Sequence, residues 1–165
     1  MSQKPPSDLL TAAIDTIYRW DNDEYNKNAE LILEEQPYLM RFILSLTEDF
    51  EEQDIEFFVL ALMSVQLGFK MRGIPLNTAE PEAIEKRVKS TVERYDELDA
   101  REEVSLDDIF VSADNPRVLN QLFDIYYEDF LKEDTIGMAE VMNILLTLEI
   151  VVGSVEGSTI ETPNE

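Results

Sequence analysis

The 165-residue chain contains no cysteine and no histidine. Their absence removes disulfides, thiol nucleophiles, Cys/His zinc centres and imidazole acid–base catalysis. It also removes the usual proton switch near neutral pH. Any metal site would have to be built from oxygen ligands, which favours Mg²⁺, Ca²⁺ or Mn²⁺. The five glycines form neither a phosphate-binding loop nor a dinucleotide fingerprint, and no G-x-S-x-G is present. The longest apolar run, Phe57 to Met63, is too short to span a bilayer. The opening residues "MSQKPPSD" carry no apolar leader segment. A cytoplasmic protein without cofactor is expected.

Positive charge is also scarce. There are 13 Lys and Arg against 36 Asp and Glu, a net charge of −23. Such a chain is repelled by nucleic-acid phosphates and by anionic lipid, and attracts basic proteins or cations. Solubility by itself, or a saline habitat, would also favour acidity. The apolar share of 44% is near the globular norm, so the charge does not imply disorder of the whole chain.

Apolar residues recur almost throughout at helical spacing. The first pattern runs from Ser7 to about Trp20. The second carries Tyr25, Ala29, Ile32 and Leu33 and stops before Pro37. Pro37 opens a third helix. From Glu52 to Arg72 the pattern is apolar on nearly every side, which marks a central core helix, ended by Gly73. Pro81 opens a fifth helix, whose stripe is Ile84, Val88, Val92 and Tyr95. Its bases Lys86, Arg87, Lys89 and Arg94 are expected to pair with the protein's own acids. A short helical turn is expected at 105–110. The Asn115–Pro116 pair starts another helix, reaching about Phe130 and including Val118, Leu119, Leu122, Phe123 and Tyr126. The last helix is expected from about Ile136 to Val152. The expectation is an all-α fold: a flexible arm (1–6), one globular domain of six to seven helices (7–153) and a flexible tail (154–165). An orthogonal bundle around the central apolar helix is the expected arrangement.

Two acidic joints resemble calcium-binding EF-hand loops in rhythm only. With Glu140 at loop position 12, Asp129 and Ile136 fall on positions 1 and 8, but Leu131 occupies a ligand position and Asp134 replaces the glycine. With Asp108 at position 12, Arg101 occupies a ligand position. Calcium is therefore not expected at either. Paired carboxylates at Glu48/Glu51, Glu82/Glu85 and Glu93/Asp96 have the spacing of Mg²⁺-dependent helical hydrolases that act on phosphorylated small molecules. Residues three apart do share a helix face. With 36 acids in the chain, however, such spacings arise by chance.

The leading expectation is a non-enzymatic interaction module of adaptor, chaperone, inhibitor or mimic type. Its acidic surface would dock a basic protein through Glu48, Asp49, Glu51, Glu52 and Asp54, and through Glu97, Asp99, Glu102 and Glu103. Tyr127 would stand exposed beside it, because adjacent Tyr126 and Tyr127 differ by about 100° around a helix. The alternatives are the Mg²⁺ hydrolase, with an unassigned catalytic set, and a structural subunit of a homo-oligomer.

Overall fold

A computed structural model describes residues 7–101, 108, 109, 116–126, 128 and 138–158. Seven α-helices are present among them: α1 (Ser7–Arg19), α2 (Asn22–Glu35), α3 (Pro37–Leu44), α4 (Glu52–Met71), α5 (Pro81–Asp99), α6 (Pro116–Ile125) and α7 (Met138–Glu156). A 3₁₀ turn, Ser45–Glu48, links α3 to α4. The described residues contain no β-strand, and no helix among them is long and apolar enough to cross a membrane.

The all-round apolar pattern of α4 has the expected consequence. Phe57, Phe58, Ala61, Leu62, Val65 and Phe69 are all fully buried. Helix α4 packs against α1 on one side and α7 on another, with α3 also in contact. Helix α7 lies against α5 as well, so it separates α4 from α5. Being sandwiched, α7 buries Ile144, Leu145, Leu148, Val151, Val152 and Val155. Helix α6 packs across α1 and α7 through Val118, Leu119 and Leu122.

The end of α4 shows why a glycine is required there. Gly73 adopts φ +76°, and Ile74 N–H reaches back to the Phe69 carbonyl at 3.0 Å. This reversed pairing closes the last helical carbonyls and needs a left-handed residue.

Several boundaries differ from the sequence expectation. The α4 N-cap is Glu51, and residues 45–48 before it stay wound in the tighter 3₁₀ form. The last helix continues past Val152 to Glu156, with Val155 fully buried. Beyond it the Ser158 carbonyl accepts the Asn77 N–H at 2.8 Å. Residues 154–158 are thus structured, because the connector between α4 and α5 gives them something to pack on.

Helix α2 buries only Ile32, while Leu31 and Leu33 are exposed. The buried stripe of α5 is Ile84, Thr91, Tyr95 and Leu98, with Val92 turned outward. Thr91 is thus a polar residue within the buried stripe of α5. The arm 1–6, the turn residues 105–107 and 110, the joint 129–137 and the tail 159–165 lie outside the described residues.

Candidate functional site

The chain enters α4 through an acidic corner. Phe50 is half-buried and packs edge-on against Phe58, with ring centroids 5.0 Å apart. This contact anchors a segment that otherwise faces solvent. Glu48, Asp49, Glu51, Glu52 and Glu56 are all exposed. No Lys or Arg occurs between Arg41 and Lys70, and none of the described bases ion-pairs with these five carboxylates. Glu52 sits in the first turn of α4, where the partial positive charge of the helix start favours it.

Asp54 does not belong to this surface. It is 8% exposed. Its carboxylate accepts the Glu51 N–H at 3.4 Å and the Tyr126 hydroxyl at 2.8 Å. One side chain therefore caps α4 and ties it to the end of α6. Asp54 is thus not one of the docking acids, although its acidic neighbours in the sequence suggest that role. A position three residues into a helix instead lets a short carboxylate turn back onto the helix start. Tyr126, fully buried beside Phe57, supplies the second donor. Burial, then the Asp54 hydrogen bond and charge, push the Tyr126 hydroxyl well above the ordinary tyrosine range.

The second acidic segment lies at the other helix pair. Glu93, Asp96, Glu97 and Asp99 are exposed along the last turns of α5. No base occupies that last turn. The helix C-terminus carries partial negative charge, so Asp96, Glu97 and Asp99 sit where the dipole opposes them. Because α7 lies between α4 and α5, the two acidic segments do not share a helix packing surface. Glu102, Glu103 and Tyr127 lie outside the described residues.

The two ends should answer oppositely to neutralisation. Glu97→Gln and Asp99→Asn should each stabilise the fold by about 0.3–1 kcal/mol, whereas Glu52→Gln should destabilise it by a similar amount. Urea unfolding checks this, and a common sign for all three would contradict the dipole account.

The interior holds polar chemistry that helical periodicity does not reveal. Glu149, on α7, accepts hydrogen bonds from the Arg94 guanidinium and the Tyr95 hydroxyl, both on α5. The Arg94 guanidinium also lies 5.3 Å from the Tyr95 ring centroid. Two turns away on α5, Arg87 lies over Gly153, where a Cβ would come within 2.8 Å of the guanidinium. These pairings run in opposite chain directions, so α5 and α7 are antiparallel. The expected internal pairing of the basic helix is thus seen at Arg94. Burial, and then the Glu149 charge, hold the Tyr95 hydroxyl far above the ordinary range. The available sequence signal was Glu149 itself, the one charged residue between Ile144 and Val152.

A second polar knot ties α2 to the chain after α4. Buried Gln36 donates to the Asn77 carbonyl at 3.0 Å and accepts from the Ala79 N–H at 2.9 Å. Glu35 receives Lys70 and Gln66 from α4. Nothing about Gln36 in the sequence marks it out.

What this arrangement can do chemically is limited and specific. Among the described residues no group of three or more Asp and Glu side chains converges to hold a metal ion. All six carboxylates of the pairs Glu48/Glu51, Glu82/Glu85 and Glu93/Asp96 are exposed; the first pair flanks the entrance of α4, and the other two lie about three turns apart along α5. The hydrolase alternative therefore gains no support from geometry. Among the described residues, the exposed large apolar side chains, Tyr18, Leu31, Leu33, Leu44, Met71 and Val92, come from five different helices. An exposed, anchored, negatively charged corner is what remains. Comparison with protein-family models, with curated proteins and with solved structures finds no match for this chain.

Proposed function

We propose that the protein is a non-enzymatic interaction module that docks a basic protein partner on its acidic surface, centred on Glu48, Asp49, Glu51 and Glu52. The observation that carries this reading is the α4 entrance itself, where five exposed carboxylates fall within nine residues, unpaired by any described base. Like charges crowded together raise the local potential and repel one another. A partner presenting Lys and Arg would relieve that repulsion on binding. It would also be steered to the corner from a distance of about one Debye length, roughly 10 Å at 0.1 M salt. The acids at the end of α5 extend the negative field to a second side, against their own helix dipole.

The test is affinity capture from the native cell at low and at high salt. At low salt the protein should recover a basic protein, and that protein should be lost near 1 M salt, where screening shortens to about 3 Å. Recovery that ignores salt, or that yields no basic protein, would overturn the reading.

A further inference from the structure

Beside the acidic corner, one turn further along α4, the surface opens into a cleft of about 470 Å³. Three helices build it. The end of α1 supplies Ile17 and Tyr18, the start of α2 supplies Asn22 and Tyr25, and α4 supplies Glu56 and Leu60. Ile17 and Leu60 are buried and form an apolar floor. Tyr18 is 53% exposed and Tyr25 half-buried, so two phenol rings from different helices wall the cleft. Glu56 is exposed.

From this geometry we infer that the cleft is the seat for one cationic side chain, an arginine or lysine, of the basic partner. The inference rests on the docking reading above and adds the place where a single residue of the partner is read. Four features meet the chemistry of such a side chain. Its methylene stem is apolar and matches the Ile17–Leu60 floor. Its charged head is attracted by the negative faces of aromatic rings. Glu56 supplies a carboxylate, four residues after Glu52 and so on the same side of α4. Finally, the cleft continues the acidic corner, so a basic segment lying on Glu52 would deliver its next side chain here.

The surrounding charge agrees. Asp15, Asp21, Asp23 and Glu24 are exposed on α1, α2 and the turn between them. Arg19, next to Tyr18, and Lys27 are the described bases of the same two helices. Glu56 and Tyr25 line the same cleft, and the Tyr25 hydroxyl is raised above its ordinary range by burial and then by the Glu56 charge. An anionic occupant would meet Glu56 and the net charge of −23.

The experiment is calorimetric titration of the full-length protein with a capped hexa-arginine peptide at low salt. Tyr18→Ala should weaken binding about two- to fivefold, the size of one exposed cation–aromatic contact, without altering charge. Tyr18→Phe, which keeps the ring, should stay within twofold of wild type. Glu56→Gln should weaken binding by a similar two- to fivefold. Tyr18 is mostly solvent-exposed, so its replacement leaves the core intact, which circular dichroism verifies. If Tyr18→Ala binds as wild type does while Glu48→Gln/Asp49→Asn/Glu52→Gln weakens binding, the cleft is not the seat and the acidic docking surface stands. If wild type itself does not bind, both readings fail.

Discussion

Arg94→Ala should destabilise the fold by about 3–5 kcal/mol, a large part of the roughly 5–15 kcal/mol available to a domain of this size. The side chain of Glu149 is only 8% exposed, whereas that of Arg94 is 26% exposed. Removing Arg94 therefore strands a carboxylate that water cannot readily reach. The converse, Glu149→Ala, should cost less. Arg94 can turn toward solvent, and the main loss is the Tyr95 hydroxyl left without its Glu149 acceptor, about 1–3 kcal/mol. Replacing both partners with apolar residues, as in Arg94→Met/Glu149→Leu, should recover only part of the loss: neither charge then needs solvation, but the Tyr95 hydroxyl still lacks its Glu149 acceptor. Urea unfolding of the three variants checks the order. Equal losses in Arg94→Ala and Glu149→Ala would show that the pair is hydrated in solution.

Alkaline pH should destabilise the protein steeply from pH 10 upward. Tyr95 and Tyr126 are 3% and 2% exposed, and each hydroxyl faces a carboxylate, Glu149 and Asp54 respectively. Both hydroxyls are held above the ordinary value of 10. Below pH 10 the folded and unfolded chains both keep these protons, and the stabilisation is fully present. Above pH 10 the unfolded chain releases them while the folded chain retains them. Unfolding then becomes easier by about 1.4 kcal/mol per pH unit for each tyrosine, about 2.7 for the two together. The stabilisation is lost as pH climbs toward their raised folded values. Tyr95→Phe and Tyr126→Phe should each flatten the slope between pH 10 and 12 by about 1.4 kcal/mol per unit. Unchanged slopes would mean that neither ring is buried as described. Absorbance near 295 nm gives an independent check, since two of the six tyrosines should resist titration until the protein unfolds.

The helices were legible in the chain to the extent that their signals were local. Proline at positions 37, 81 and 116 and glycine at 73 mark ends that the structure keeps. The apolar surround of α4 announced a central helix, because no other environment accepts such a surface. Orientation was harder to read wherever a neighbour decided it. The buried stripe of α5 includes Thr91 and excludes Val92, and its Arg94 and Tyr95 meet Glu149 on the facing helix α7. Sequence periodicity sees only one partner of that contact.

The acidic site divides in the same way. Glu48, Asp49, Glu51 and Glu52 are exposed as expected, while Phe50 among them turns inward onto Phe58. Asp54 turned inward because a donor 72 residues away, Tyr126, meets it. Tyr18 and Tyr25 lie at the ends of separate helices, and only the turn at residues 20–21 brings them to Glu56. No linear spacing encodes that meeting.

The central claim is that a basic partner recognises one corner of this protein and not merely its net charge. The direct measurement compares two triple variants in binding capped hexa-arginine at low salt. Glu48→Gln/Asp49→Asn/Glu52→Gln and Glu30→Gln/Glu34→Gln/Glu85→Gln each remove three exposed charges, taking the net from −23 to −20. The first triple should weaken binding about five- to thirtyfold, as expected for three exposed ion pairs, and the second less than twofold. Equal weakening by both would show that charge alone, and not the entrance of α4, is what the peptide recognises.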